Sequence, residues 1–272
     1  MSVRFLGPAR RNGARRKGRS AAVRIFAGEA TIEVNVADAA ALEAEVARRL
    51  AGGTGFALAT LNLDHLVKLR ESPGFRAAYA AQDLVTADGN PIVWMSRLAR
   101  RPVALLPGSD LVDPLARIAA RAGAPVGLVG STAHSLEGAA DALTHRVPGL
   151  VIAARIAPPM GFDPDSPAAD AVLDELRARG VRLCFLALGA PKQEMLAARG
   201  RVRTPEIGFA SIGAGLDFLS GQQTRAPRWV RRIAMEWLFR MLGDPQRLAR
   251  RYALSALILP GHALRALRQR RG

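Results

Sequence analysis

The sequence predicts an α/β protein: a Rossmann-like, doubly wound, mostly parallel sheet with an Arg-rich helical C-terminal appendage. Three observations carry this. From about residue 23 short apolar runs alternate with helix-like segments, most runs close on small residues, and the last 50 residues lose the strand rhythm and become rich in arginine. Parallel strands joined by crossover helices produce this alternation, because each strand is buried on both faces and reads as a continuous apolar run.

Along the chain, "VRIFAGEATIEVNV" predicts a hairpin pair, and "DAAALEAEVARRLAG" a helix with Asp38 as N-cap and Gly52 near its end. The runs "GFALATLN", "DLVTADG", "APVGLVGS", "LVIAARI", "VRLCFLALGAP" and "IGFASIGAG" then supply the strands. In such a sheet ligands bind outside the carboxyl ends of the strands. The residues to examine are therefore those that close the runs: Thr60 and Asn62, Asp88 and Gly89, Gly130 and Ser131, Gly189 to Glu194, and Gly213 to Asp217.

A chain of 272 residues, 49% of them apolar, can bury a substantial core. The net charge of +16 is unevenly spread. Residues 1–24 carry eight Lys/Arg and no acid, residues 225–272 carry twelve against two acids, and the 200 between them hold 19 basic and 21 acidic groups. The body is near neutral and the excess sits at the ends. This divides the chain into a disordered basic arm (1–22), a Rossmann-like domain that carries the strand-end motifs (23–222) and a helical appendage (223–272). Arg24 and Glu29 interrupt any apolar signal-peptide region. The longest apolar candidate, "YALSALILP", is far short of the roughly 20 residues a spanning helix needs. The single cysteine, Cys184, lies in an apolar run and reads as a packed strand residue.

Each strand-end motif has two readings. Asp88 in "DLVTADGNPIVW" is either a carboxylate placed to act as a general base or part of an Asp-Gly turn with Gly89. Thr60 and Asn62 in "TLNLDHL" either bind ligand hydroxyls or cap the next helix, and His65 reads as a surface residue. "GAPKQE" is a turn into a helix whose free N–H groups suit an anion or a sugar, with Gly189 in the turn and Gln193 and Glu194 facing the crevice. "LPGSDL", with Asp110, and "VGST", with Gly130, follow the same logic. Asp163 and Asp165 in "GFDPDSP" are assigned to helix capping rather than to a metal. No zinc spacing, nucleophile elbow, P-loop or complete G-x-G-x-x-G is present.

The order of these motifs, ending in "RAPRWVRRIAMEWLFRMLGDPQRLARRY", resembles the WecG/TagA/CpsF glycosyltransferase family, glycosyltransferase family 26, over roughly residues 23–255. The resemblance implies inverting transfer of a sugar from a UDP-sugar, often of N-acetylmannosamine type, to a polyprenyl-diphosphate-linked acceptor, with no metal and no cofactor. It implies Asp88 as catalytic base, with Thr60, Asn62 and Gln193 positioning substrate. Gly89, Asp110, Gly130, Gly189 and Glu194 join them as substrate-binding candidates, and Arg240, Arg247 and Arg250 complete the pocket from the appendage. Where members often carry arginine before a "TGSDL"-like motif, this chain has Leu105 and Leu106, which leaves glucose-type donors open.

The chemistry agrees: without a metal, charge developing on a diphosphate leaving group must be met by arginines and helix N-termini. The expected setting is cytoplasmic, peripheral on the inner face of the plasma membrane, against an anionic surface, with homo-oligomerisation open. On a helical wheel Trp229, Val230, Ile233, Trp237 and Met241 share a face that would dock the appendage, while Arg231 and Arg232 point away towards headgroups. Arg240 follows Glu236 by four residues and equally suits an ion pair, and Arg247, Arg250 and Arg251 equally suit a solvated face. The alternative is a basic Rossmann-like nucleic-acid-binding protein. The terminal charge and the helical spacing of the aromatics argue against it.

Overall fold

A computed structural model describes residues 22–27, 30–227, 229–230, 235–243 and 245–271. The predicted arm therefore lies, except for Ala22, outside the described residues. The chain opens with the expected hairpin, β1 (Val23–Ala27) and β2 (Ala30–Val34), paired antiparallel with Val23 opposite Val34. Its alternate residues Val23, Ile25, Ile32 and Val34 are buried. Helix α1 (Ala39–Ala51) follows, with Asp38 accepting from the Ala41 N–H at 2.9 Å and Gly52 as C-cap.

The body then alternates as predicted: β3 (Phe56–Leu61), α2 (Leu63–Glu71), α3 (Pro73–Ala80), β4 (Leu84–Ala87), α4 (Asn90–Leu98), α5 (Gly108–Arg121), β5 (Val126–Gly130), α6 (Ala133–Arg146), β6 (Ile152–Ile156), α7 (Pro167–Ala178), β7 (Leu183–Ala187), α8 (Lys192–Arg203), β8 (Gly208–Ser211) and α9 (Gly215–Leu219). Among the described residues the main sheet has six strands in the order β4-β3-β8-β7-β5-β6, every neighbouring pair parallel. β5 leads outward to β6, whereas β7 leads the other way to β8. The strand order thus reverses between β5 and β7, the position at which doubly wound sheets open a crevice.

The core explains why these runs are strands. Every residue of β3 is buried, and successive residues of β7 serve opposite faces. Leu183 and Phe185 pack with Leu115 of α5 and Leu136 of α6, while Cys184 and Leu186 pack with Leu173 of α7 and Leu196 of α8. Burial pushes the Cys184 thiol well up, as fits a packing residue.

The C-terminal segment is helical, in α10 (Glu236–Gly243) and α11 (Pro245–Arg268). Pro245 opens α11, where its fixed φ suits a helix first turn, and Asp244 before it lies outside the described residues. α11 packs on α2, α4 and β1, burying Ser255, His262 and Ala266. Gln269 closes the exposed edge of the hairpin, its Nε2 donating to the Arg24 carbonyl at 2.6 Å and its Oε1 accepting from the Arg24 N–H at 3.3 Å. The shared face expected for residues 229–241 presumes one continuous helix, and among the described residues that continuity is broken at Met235. Trp229 and Val230 are helical but Met235 is not, and its N–H donates to the Val230 carbonyl at 3.0 Å before α10 begins. Val230 is accordingly buried while Trp229 is 66% exposed. Arg231, Arg232 and Ile233 and the side chains of Trp237 and Arg251 lie outside the described residues.

Two glycines at the carboxyl edge separate crowding from backbone strain. Gly130 has φ +116°, and a Cβ there would sit 2.4 Å from the Ala187 carbonyl oxygen. Gly189 has φ +71° but nothing within 4 Å of a built Cβ. Gly189→Ala is expected to cost about 1 kcal/mol from the left-handed conformation alone, and Gly130→Ala about 3 kcal/mol because β5 and β7 must also part. Urea unfolding of the two variants measures the difference.

Candidate active site

The carboxyl edge of the sheet gathers most of the predicted residues. Asp88 stands one residue beyond β4, half-buried, its N–H donating to the Leu61 carbonyl of β3 at 2.8 Å. Gly89 follows with φ +113°, at the N-cap position of α4. The chain thus turns sharply out of β4 at Gly89, directly after Asp88. On β3, Thr60 lies within the strand, buried and level with Thr86, rather than beyond its end. Asn62 caps α2, its Oδ1 accepting from the His65 N–H at 3.0 Å. A carboxamide that caps through oxygen keeps two N–H donors for another partner.

Gln193 and Glu194 occupy the first turn of α8, beyond the cis peptide between Ala190 and Pro191. They do not line an open crevice as expected: both are buried, at 2% and 0% exposure. The cause is the packing of α8 against α3 and β3. Gln193 Nε2 donates to Glu194 Oε1 at 2.8 Å, and Gln193 Oε1 accepts from the Gly213 N–H at 3.2 Å. Burial pushes the Glu194 carboxyl up to about 7, against the opposing pull of Gln193, a backbone hydrogen bond and Lys68.

His65 is likewise not a surface residue. It is 5% exposed, its ring edge-on to Phe75 and its Nδ1 2.7 Å from the Tyr79 hydroxyl. The inward face of α2 carries it, with Leu66 and Leu69, against α3. Burial, then the charges of Glu194 and Asp88, raise the Tyr79 phenol well above its ordinary value. Asp88 and Glu194, far apart in sequence, thus act on one buried hydroxyl.

The second half of the edge lies at the strand-order reversal. Gly130 and Ser131, the latter at φ 54°, turn out of β5, and the Ser131 N–H donates to the Ala187 carbonyl of β7 at 3.2 Å. Asp217 in α9, singled out in the sequence as a strand-end residue but given no role, gathers this region. Its Oδ1 accepts from the Ser131 hydroxyl and, at 2.8 Å, from Ser135, and its Oδ2 accepts from Gln223 Nε2 at 3.0 Å.

Asp110, in the first turn of α5, pairs with Arg225 at 2.5 Å. Both line a cavity of about 210 Å³ with Ser109, Gly215 and Phe218. Arg225, whose guanidinium lies 5.8 Å from the Phe218 ring centroid, was not singled out in the sequence because its partner is 115 positions away. The entrance to α5 is bound to the Asp88 strand: the Leu106 N–H donates to the Ala87 carbonyl at 2.8 Å and the Thr86 hydroxyl to the Leu106 carbonyl at 3.1 Å.

Arg240 belongs to α10, and Arg247 and Arg250 to α11, but their side chains lie outside the described residues. Neither Asp163 nor Asp165 caps α7. Asp163 Oδ1 accepts from the Asp165 N–H at 2.9 Å, closing a turn ahead of the helix, and Ser166 holds the N-cap position. Two residues separate Asp163 from the cap, which makes the local turn its nearest donor.

The Asp217 cluster is open to a direct test. Asp217→Ala removes the acceptor for two serine hydroxyls and a carboxamide, and is expected to lower unfolding free energy by about 2 kcal/mol, measured by urea denaturation.

What this edge presents is a carboxylate beyond β4, carboxamides at α2 and α8, the N-termini of α4, α5, α6 and α8, and an Asp/Ser cluster at the reversal. The family model described as glycosyl transferase WecG/TagA/CpsF matches residues 30–272. That span includes every one of these strand ends and both C-terminal helices. The chain belongs to the WecG/TagA/CpsF family of glycosyltransferases.

Proposed function

We propose that the protein is an inverting glycosyltransferase that moves a sugar, of N-acetylmannosamine or glucose type, from a UDP-sugar to a polyprenyl-diphosphate-linked acceptor in cell-surface polysaccharide synthesis. The observation that supports it most is the position of Asp88, a half-buried carboxylate at the carboxyl end of β4 beside capped and carboxamide-bearing neighbours on β3 and α8. In the proposed reaction Asp88 takes the proton of the acceptor hydroxyl. The freed oxygen attacks the anomeric carbon from the face opposite UDP, and the bond to the UDP oxygen breaks with its electron pair leaving on the diphosphate. Asn62 and Gln193 orient the reactants, with Thr60 and Gly89 shaping the floor around Asp88. The N-termini at Asp110, Gly130 and Gly189, together with Arg240, Arg247 and Arg250, meet the diphosphate charge without a metal.

Leu105 supports a donor preference of its own. It forms a bridge to Ala87, next to Asp88, and is 39% exposed where many members of the family carry arginine. An apolar side chain there offers a sugar substituent contact but no charge.

Membrane association fits the C-terminal helices. Among the described residues no helix is long and apolar enough to cross a membrane. α10 and α11 nevertheless expose Leu242, Leu254, Leu257, Leu264 and Leu267 in a segment that also carries Arg265 and Arg268. Apolar side chains beside cations suit the headgroup boundary of an anionic membrane and a peripheral, cytoplasmic-face location. That surface would bring the polyprenyl-diphosphate acceptor to the carboxyl edge.

A panel of UDP-sugars offered with a polyprenyl-diphosphate-sugar acceptor, followed by UDP release, tests the reaction. One donor is expected to turn over, and release from none of them removes the proposal. In the productive pair Asp88→Asn is expected to lower kcat by about 1,000-fold with an unchanged melting temperature. Turnover like that of the wild type would rule out Asp88 as the base.

A further inference from the structure

Glu194 is the only carboxylate buried below a tenth exposure among the described residues, and its surroundings are specific. Oε1 accepts from Gln193 Nε2, while Oε2 is buried with no hydrogen-bond partner among the described residues. Gln82 Nε2 holds the Glu194 carbonyl at 3.2 Å, which anchors the backbone of this turn to the end of α3. Having given its NH2 group to Glu194, Gln193 presents its oxygen to the Gly213 N–H. Gly213, at φ 58°, is the loop that leaves β8 at the centre of the sheet and leads to α9 and Asp217.

We propose that Glu194 is a positioning residue rather than a substrate contact: by fixing which way round the Gln193 carboxamide sits, it holds the Gly213 loop, and Gln193 itself, in the arrangement the transfer reaction uses. A carboxylate is acceptor-only, so it accepts the NH2 end of an amide and leaves the oxygen for the other side. A protonated Glu194 can donate instead. The amide is then free to reverse, setting its NH2 group against the Gly213 N–H, donor against donor, and the loop contact is lost.

Burial pushes Glu194 up to about 7, so both states are accessible near neutral pH. The sign follows: the contact is made above that value, where the carboxylate is ionised, and lost as pH falls through it. The titratable groups that interact with Glu194 are Lys68 of α2, which donates to the Ala190 carbonyl at 3.0 Å, and Tyr79 of α3, with His65 and Asp88 beyond them acting on Tyr79. Glu194 differs from them in bonding directly to the amide that holds Gly213.

The test uses the full chain with Glu194→Gln, Gln193→Ala and the double variant. The inference rests on the transfer reaction above, so one readout is kcat for UDP release and the other needs no substrate. Each single variant is expected to lower kcat about tenfold with KM for both substrates nearly unchanged. The double is expected to be no worse than the weaker single, because two residues acting as one unit are not additive. In 15N spectra the Gly213 amide resonance should titrate with a midpoint near 7 in the wild type and stop doing so in Glu194→Gln. Should that variant fail to fold, Gln193→Ala carries the same test, since it removes the link between Glu194 and Gly213. Unchanged kcat in Glu194→Gln, additive losses in the double, or a Gly213 titration that survives either substitution overturns the proposal, the last by assigning the proton to another group. A wild-type protein that releases UDP from no donor defeats the transfer reaction, whereas the Gly213 resonance still decides the role of Glu194.

Discussion

Because the six strands of the main sheet run in one direction, all their carboxyl ends arrive at one edge, and the rest of the molecule is organised by that constraint. Parallel strands must be joined by crossovers, so each polar residue that closes an apolar run begins or precedes a helix. Asp88, Asn62, Gln193, Ser131 and Asp217 come from well-separated parts of the sequence, yet they share an edge because the hydrogen-bond ladder leaves no other place for them. The N-termini of α4, α5, α6 and α8 arrive there too, with their N–H groups and partial positive charge.

The edge is not uniform. On the β3, β4 and α8 side the polar groups are withdrawn from solvent: His65, Tyr79, Gln193 and Glu194 are all buried and bonded in pairs. Low dielectric strengthens each pair and makes each unpaired atom costly, so a cluster like this specifies orientation tightly. On the β5 and α9 side, Asp217 gathers the half-buried Ser131 and the buried Ser135 hydroxyls, and the Arg225–Asp110 pair lines a cavity.

The charge distribution has its own consequence. The body is close to neutral and several of its arginines pair with acids, among them Arg199 with Asp170 at 2.7 Å and Arg201 with Asp83 at 2.8 Å. The surplus is carried by the ends, and α11 returns one of those ends to β1, α2 and α4 through Gln269 and a buried patch at His262. Burial, then Arg265 and Arg70, lower the His262 imidazole to about 4, so it packs neutral between cations.

Local pattern by itself determined the class of fold, the position of every strand in the main sheet, the cap at Asp38 and the strand-end status of Asp88, and it narrowed Asn62 to a cap or a ligand contact, because burial on both faces and capping chemistry are written in adjacent residues. The family was legible as well, since its motifs are short and their order survives in one dimension. Only the tertiary structure decided that His65 and Glu194 are buried, that Met235 interrupts the helix before α10, that Asp163 closes a turn instead of capping, and that Asp110 pairs with Arg225. Each of these depends on what another element places opposite the residue. A helix shows its own apolar stripe in sequence, but a partner such as Tyr79 across α3, or Gly213 beyond β8, is chosen by packing between segments that no local spacing connects.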